Sequence, residues 1–159
     1  DIASRIVEAG AWVNPTLDQT IGAPSEILLE QERAGELDEA GKAKLEELKR
    51  AYPLRLEQIN KMIKLGVKFV TGTDCGWGPV PFNRIHREMH IFVESGMSPM
   101  QAIVTATKDA AESLGLGDTI GTLEAGKEAD VTVIAGEPHR DVNDITKVEA
   151  VFQAGTQVR

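Results

Sequence analysis

Cysteine, histidine, aromatic and basic residues are all scarce in this chain of 159 residues. The single cysteine, Cys75, excludes a disulfide within the chain and fits a reducing compartment. Lysine and arginine total 17 against 25 aspartate and glutamate residues, and the net charge of −8 argues against a nucleic-acid or anionic-membrane surface. No apolar run approaches the length of a membrane span. We therefore expect no membrane partner, no signal peptide and a cytoplasmic location.

Several catalytic motifs are also missing. The sequence contains no GxSxG elbow, no P-loop and no GxGxxG turn, so none of these motifs assigns a function. The hydrophobic content of 42% is enough to bury a core, and the length is that of one domain, or of one domain and a fragment of another. The chain begins with Asp1 and opens directly into helical sequence, so we expect it to be the remainder of a longer protein.

Apolar spacing predicts strands that alternate with helices, followed by a short β-rich tail. The first half of the chain is predicted to contain a helix over 1–10, a strand over 11–13, a loop over 20–25, helical sequence over 26–50 with breaks near Gly35 and Gly41, and a new helix from Pro53 to Gly66. A strand is predicted from Val67, then a helix from Asn83 with Ile85, Met89, Phe92 and Val93 on one stripe, and a helix from Ser98 to Leu114. The tail is predicted to form strands over 130–135 and 148–153 with a turn at Ala154-Gly155. Alternating strands and helices predict an α/β fold with a parallel sheet.

The segment Val67 to Phe82 attracts attention because an apolar strand ends abruptly at Gly72-Thr73-Asp74. A carboxylate at the carboxyl end of a strand is where α/β enzymes keep catalytic groups. The same residues also suit a turn, or a cap for the next helix. The segment by itself leaves both interpretations open.

Other candidates are weaker. His86 and His90 lie four residues apart on a predicted helix and could hold a zinc ion together, although surface histidines at this spacing need no such explanation. Glu88 between them points away from the face that they share. Asp74 lies next to Cys75 and disfavours a thiolate nucleophile there. Asp130 stands in a turn that enters a strand, and we expect it to be structural.

Three segments in this order and spacing resemble the amidohydrolase superfamily, in particular its imidazolonepropionase-like and Xaa-Pro-dipeptidase-like branch. They are the strand with its Gly-Thr-Asp and glycine-rich loop over Val67 to Gly78, the helical segment from Arg87 through Ser98-Pro99 to Ala110-Ala111, and the turn from Ile120 to Asp130. The segment Val13 to Leu17 also resembles the preceding strand of that family.

The resemblance implies the C-terminal part of a (β/α)8 barrel over 1–116, with a charged helical excursion at 24–58, and a C-terminal portion of a β-sandwich over 117–159. It implies a hydrolase that cleaves a C–N bond with a divalent metal, zinc in the complete enzyme. Asp74 matches the position that binds the metal and shuttles the proton of the attacking water. The loops after Leu17 and Asp74 would frame the pocket, so we expect Asn14, Thr16 and Trp77 to contact a small amide, dipeptide or cyclic amide.

The family's remaining metal ligands have no counterpart here, and a barrel of this kind needs roughly 250 residues. A zinc site takes about three protein ligands, so we expect this chain alone to be inactive and to bind metal weakly or not at all. Open sheet edges predict association with the N-terminal portion of the same enzyme, or with a second copy. The alternative is a noncatalytic half-barrel that serves as a binding or structural module.

Overall fold

The computed structural model describes residues 1–76 and 82–159 as a mixed α/β structure. The helices are α1 (Ile2–Glu8), α2 (Ala23–Ala34), α3 (Glu39–Lys64), α4 (Ile85–Glu94), α5 (Pro99–Thr105) and α6 (Lys108–Ser113). The strands are β1 (Trp12–Val13), β2 (Lys68–Phe69), β3 (Val131–Ile134), β4 (Val148–Gln153) and β5 (Thr156–Gln157). A π-helix (Asp18–Gly22) leads into α2, and a 3-10 helix (Val142–Thr146) leads into β4.

The strands form two separate sheets. β1 and β2 are parallel, with Trp12 opposite Lys68 and Val13 opposite Phe69, so the predicted parallel pairing is confirmed. β3, β4 and β5 form an antiparallel sheet in that order. The turn between β4 and β5 uses Ala154 and Gly155, which both have positive φ, as a tight hairpin requires.

The core is built around α4. Phe92 and Ile91 are fully buried, and the Phe92 ring lies 5.5 Å from that of Phe69 on β2. Met89 is buried and Val93 packs against the same cluster, as the apolar spacing predicts. The prediction was wrong for Ile85, which is 44% exposed because it is the first residue of α4 and lies at the end of the helix.

The predicted loop over 20–25 is wrong. The π-helix and the first turn of α2 occupy these residues. Pro24 fits there because the first turn of a helix does not need its amide proton. Glycine is required at position 22 for packing and not for a loop conformation. A Cβ on Gly22 would lie 2.3 Å from the Asp18 Oδ1 atom.

The two breaks predicted in the charged region have different outcomes. Gly35 ends α2 in a left-handed conformation, as predicted. Gly41 does not interrupt a helix but lies in the first turn of α3, where its N–H donates to Asp38 Oδ1 at 2.7 Å. Pro53 does not start a new helix either, because α3 continues through it. Pro53 and Lys49 are both exposed, so the carbonyl oxygen of Lys49 that loses its donor faces solvent.

The single helix predicted from Ser98 to Leu114 is divided into α5 and α6. Its start is confirmed, since Ser98 and Gln101 form a reciprocal capping box. It breaks after Thr105, whose carbonyl oxygen accepts from the Thr71 N–H at 3.0 Å and so ties α5 to the end of β2. Leu114 is 72% exposed and belongs to no core stripe.

The turn from Ile120 to Asp130 is held by side chains that reach across it. The Lys127 Nζ atom donates to the carbonyl oxygen of Gly117 and to Thr122 Oγ1, each at 2.6 Å. Asp130 Oδ1 accepts from the Ala154 N–H at 2.8 Å, so its predicted structural role is confirmed. Gly121 lies directly against α6: a Cβ there would be 2.6 Å from the Ala111 Cβ atom.

No helix in the part of the chain that the structure describes is both long and apolar enough to cross a membrane. The charged helical excursion expected at 24–58 falls within α2 and α3, which together run from Ala23 to Lys64. The boundary expected between 116 and 117 stays a prediction.

We predict that Gly121→Ala destabilises the chain more than Gly126→Ala. Both glycines have φ near +94°, so each alanine carries a left-handed strain of about 1–2 kcal/mol. Of these two glycines, only Gly121 has atoms within 4 Å of the added Cβ. Displacing those atoms adds about 1–3 kcal/mol to the loss of stability. Urea unfolding of the two variants measures the difference. Equal losses in the two would contradict the close packing of Gly121 on α6.

Candidate active site

The carboxyl ends of β1 and β2 leave the parallel sheet at the same edge. The pairing continues one residue beyond β2, where the Val70 N–H donates to the carbonyl oxygen of Val13 at 3.0 Å. The segments 14–18 and 70–74 therefore emerge side by side. In parallel α/β folds this edge is where ligands and catalytic groups are found.

Asn14 and Gly72 are in close contact at this edge. A Cβ on Gly72 would lie 2.2 Å from Asn14 Nδ2, so only glycine leaves room for the amide side chain. The Asn14 Oδ1 atom in turn accepts from the Thr16 N–H at 3.4 Å. Asn14 thus contacts both Thr16 and the segment that carries Asp74, while a shared substrate pocket for these residues stays a prediction.

Backbone strain is concentrated at the same place. Three non-glycine residues of the described ranges have positive φ, and two of them are Thr16 (φ 45°) and Asp74 (φ 49°). The third, Ala154, is explained by its hairpin turn. Left-handed conformations are unfavourable for residues with a Cβ, and especially for β-branched threonine. Such residues cluster at functional sites, where the surrounding structure holds them in place.

Asp74 itself is exposed, while its neighbour Thr73 is 8% exposed and packs inward. The Thr73 Oγ1 atom accepts from the Cys75 N–H at 3.3 Å, so the turn that presents Asp74 is fixed from within. Trp77, the third residue expected to contact substrate, lies outside the residues that the structure describes.

The donor set allows one metal ligand but not a complete site. Over residues 1–76 and 82–159, no three His, Cys, Asp or Glu side chains come together in a way that could hold a metal ion. Asp74 offers one exposed carboxylate at the strand end, and a catalytic zinc takes about three protein ligands. The described residues therefore offer one carboxylate at this edge and no complete set of metal ligands.

His86 and His90 do not form a convincing metal site. Their rings stand edge to face with centroids 6.3 Å apart. Burial and the positive charge of Arg87 lower the pKa of both imidazoles. Neutral imidazoles suit a metal, but the same arginine opposes a cation at this position, and no third ligand accompanies them among the described residues.

A buried carboxylate lies beneath the loop that follows β1. Glu88 on α4 is fully buried, and its two carboxylate oxygens accept from the Leu17 N–H at 2.9 Å and the Asp18 N–H at 2.8 Å. Burial raises the pKa of Glu88 to about 7, even though the two amides favour its charged form. The residue is thus an ionisable group inside the core, directly below Thr16.

Asp18 belongs to a second set of buried charges. Arg84 binds it with two nitrogen atoms, Nε at 2.8 Å and Nη2 at 2.9 Å. The same Arg84 contacts Glu26 at 2.6 Å, and Arg87 contacts the other oxygen of Glu26 at 2.5 Å. Since the Asp18 side chain is fully buried and that of Arg84 is 18% exposed, this pairing is what makes the aspartate tolerable in the core.

A comparison with protein families identifies the family of this chain. The model of the amidohydrolase family matches residues 3–158, nearly the whole chain. The chain belongs to the amidohydrolase family. The recognition made from the Gly-Thr-Asp strand end and the Ile120 to Asp130 turn is thereby confirmed.

Individual proteins agree with the family assignment. The imidazolonepropionase of Thermoplasma volcanium is 35% identical over 101 residues, which are 60% of this amidohydrolase chain and 24% of that protein. A Xaa-Pro dipeptidase solved with methionine in its active site superposes with a TM-score of 0.75 at 26% identity, over 99% of this chain and 36% of that one. An amidohydrolase from Thermotoga maritima is 31% identical, with a TM-score of 0.55 over 65% of this chain and 26% of that one.

The amidohydrolase chain therefore spans about a quarter of the curated relative and little more than a third of the solved dipeptidase. The similarity supports the expected α/β fold class. The two parallel strands that the structure describes are consistent with part of a barrel, while the complete barrel and the sandwich stay predictions.

Neither apolar spacing nor a motif identified Glu88, Asp18 or Arg84 as partners of the loop after β1. A signal for Glu88 was present, because it lies four residues before Phe92 and so falls on the buried face of α4. A carboxylate on an apolar helix face calls for a hydrogen-bond partner. The identity of that partner, two backbone amides about seventy residues away, could not be read from helical spacing.

We predict that Arg84→Met strongly destabilises this amidohydrolase chain. The substitution leaves the Asp18 carboxylate buried without its cation, and breaking a buried pair in this way costs about 3–5 kcal/mol. Arg140→Met is the matched control, because its pair with Glu137 has side chains that are 72% and 57% exposed and contributes little. Chemical denaturation at pH 7 measures both variants. A small effect of Arg84→Met would show that the Asp18 charge is stabilised by other means.

We also predict a specific pH dependence for Glu88→Gln. The pKa of Glu88 is near 4.5 in the unfolded chain and about 7 in the folded one, so the folded state holds the proton more tightly between these values. Wild-type stability therefore loses a contribution of about 3 kcal/mol as the pH rises from 4.5 to 7, and the variant does not. Relative to wild type, Glu88→Gln should gain stability over this range. A constant difference across the range would contradict the raised pKa.

Proposed function

We propose that this chain supplies the last strands and helices of a metal-dependent hydrolase that cleaves a C–N bond. The observation that carries the proposal is the position of Asp74. It stands exposed and in a left-handed conformation in the segment that follows β2, whose Gly72 contacts Asn14, in a member of the amidohydrolase family. Residues held in left-handed conformations cluster at functional sites, which supports a functional role for Asp74.

In this proposal Asp74 has two roles. It would be one ligand of a divalent metal, zinc in the complete enzyme, and it would accept a proton from the attacking water and pass it to the leaving amine. A metal held there would supply a water whose pKa is lowered toward neutrality. The Asp74 side chain is suited to proton transfer because it is exposed and is not used in the core.

Asn14 and Thr16 are proposed to contact the substrate, together with Trp77 from the glycine-rich loop. The substrate class follows from the relatives. The names imidazolonepropionase and Xaa-Pro dipeptidase refer to a cyclic amide and to a dipeptide. For this chain we therefore propose a small amide, dipeptide or cyclic amide, cleaved in the cytoplasm.

The chain alone is proposed to be inactive, since one carboxylate cannot hold the metal. The remaining ligands would come from the N-terminal portion of the same enzyme. A groove lined by residues of β1, β2 and α5 supports such an association. Its apolar lining includes Trp12, Phe69, Met100 and Val104. A second copy of the chain is the other occupant that this groove and the open edge of β2 allow.

A noncatalytic half-barrel is the competing function. It is favoured by one observation, that the described residues bring no three metal ligands together. The two proposals differ in whether the residues encoded before Asp1 carry further histidine ligands. They also differ in the role of Asp74, which is a metal ligand and proton acceptor in the hydrolase and has no catalytic role in the half-barrel.

We predict that Asp74→Asn lowers kcat by about 10²–10⁴-fold when this chain is produced together with the residues encoded before it. The amide cannot accept the proton, and it is a poorer metal ligand than a carboxylate. Hydrolysis of an Xaa-Pro dipeptide and of a cyclic amide, with metal content by mass spectrometry, gives the readout. Asp118→Asn, an exposed aspartate in a distant turn, is the control and should retain full activity.

Two outcomes would contradict the proposal. Stoichiometric zinc and turnover in the 159-residue chain alone would show that the site is complete without a further segment. A longer protein that binds no metal and hydrolyses neither substrate would favour the noncatalytic half-barrel.

A further inference from the structure

Glu88 is the one fully buried carboxylate of α4, and the proposed hydrolysis does not use it. Its oxygens do not bond within their own helix. Each accepts from a different backbone amide of the loop after β1, Oε1 from Leu17 and Oε2 from Asp18. Both contacts join residues about seventy positions apart in the sequence, so they fix this loop to the core in a way that local structure cannot.

The two amides belong to the start of the π-helix, where backbone N–H groups lack partners within the helix. Leu17 precedes this helix and its side chain makes no capping hydrogen bond. Glu88 therefore serves as the cap, supplied from another element. On the other side of the same loop, the Thr20 Oγ1 atom donates to the carbonyl oxygens of Thr16 at 3.2 Å and Leu17 at 3.3 Å.

We propose that Glu88 is a positioning residue: its ionised carboxylate holds the Leu17 and Asp18 amides, and thereby keeps Asn14 and Thr16 at the sheet edge where Gly72 and the segment of Asp74 also emerge. The geometry of the loop is independent of the proposed function. The consequence for substrate binding rests on it, because Asn14 and Thr16 are substrate contacts only under that proposal.

An apolar side chain would fill the same space without the cost of burying a charge. What leucine or methionine cannot do is accept from two successive amides. A glutamine has one oxygen and would turn an NH₂ group toward the other amide. The requirement is for two acceptors, and only the ionised carboxylate provides them.

Protonation weakens one of these acceptors. The oxygen of Glu88 that takes the proton becomes a hydroxyl, which is a poorer acceptor for the amide N–H that it faces. One of the two loop contacts is then weakened. Because burial raises the pKa of Glu88 to about 7, we expect this weakening near neutral pH.

The charged groups around Glu88 are accounted for. Asp18 on the π-helix faces it and opposes its ionisation, although Arg84 takes up most of that negative charge. α5, which packs against α4, carries no titratable side chain. On α3, Tyr52 bonds to Glu94 near the far end of α4 and not to Glu88.

The 3-10 helix also packs against α4, and its Asp144 bonds to Lys147. The two histidines of α4 itself titrate as well. Burial lowers the pKa of both below 6.5, and Asp141, before the 3-10 helix, acts on His90 and not on Glu88. Their titration is expected at lower pH than that of Glu88, and the two processes can be separated.

The test is an NMR titration of the 159-residue chain from pH 5 to pH 8.5. It follows the side-chain carbon of Glu88 and the amide protons of Leu17 and Asp18. We expect the two amide resonances to move upfield as the pH falls, with the same midpoint as the Glu88 carboxyl, near 7. If Glu88 titrates and the amides do not follow, or if the amides follow the histidines instead, the proposal is overturned. This measurement needs no variant and so does not depend on how a variant folds.

Two variants sharpen the test. Glu88→Gln should abolish the shared titration and lower the exchange protection of one of the two amides about tenfold, the effect of losing a hydrogen bond to a charged acceptor. Glu94→Gln makes the same chemical change on the same helix, on the exposed side that contacts Tyr52, and should leave both amides unchanged. Equal behaviour of the two variants would refute the role of Glu88. Neither result depends on activity, so failure of the proposed hydrolase function would be seen separately, in the Asp74 experiment.

Discussion

The parallel pairing of β1 with β2 is the contact on which the arrangement of the site depends. Two short strands, in register at Val13 and Phe69, bring chain segments more than fifty residues apart to one edge. Asn14 can rest on Gly72 only because the strands are parallel and in this register. A shift by one residue would turn the side chains to the opposite face and separate the two segments. The long helical segment between the strands makes such a pairing possible, since parallel strands need a crossover.

The buried charges beneath this edge are a cost that the fold offsets by precise pairing. Asp18 and Glu88 both lie in the core, and neither is solvated. One is neutralised by a bidentate arginine, and the other accepts from two amides. An apolar core would be at least as stable, so stability does not explain these residues. They are better explained by the need to hold an irregular stretch, with a left-handed threonine and a π-helix, at a fixed distance from Asp74.

Apolar spacing and capping predicted most of the regular elements, because these depend on neighbouring residues. The strand at Val67, the stripe of Met89 and Phe92, the Ser98 cap and the Ala154-Gly155 turn all belong to this class. The errors arose where a distant residue decides the local structure. Gly22 marks no loop because Asp18 packs on it, and the helix after Ser98 ends at Thr105 because Thr71 takes its carbonyl oxygen. The same distinction applies to the residues of the candidate site. The family motif indicated Asp74, whereas Glu88 and Arg84 act through contacts with distant residues that no local pattern encodes.

The bond between Thr71 and Thr105 also limits how another strand can join the sheet. The amide of Thr71 is engaged with α5, and the amide of Val67 donates to the carbonyl oxygen of Met62. Between them, the side of β2 away from β1 presents only the backbone around Phe69. Pairing on this side of β2 is therefore confined to a short stretch of backbone, which is too short to serve as a template for a repetitive stack of strands.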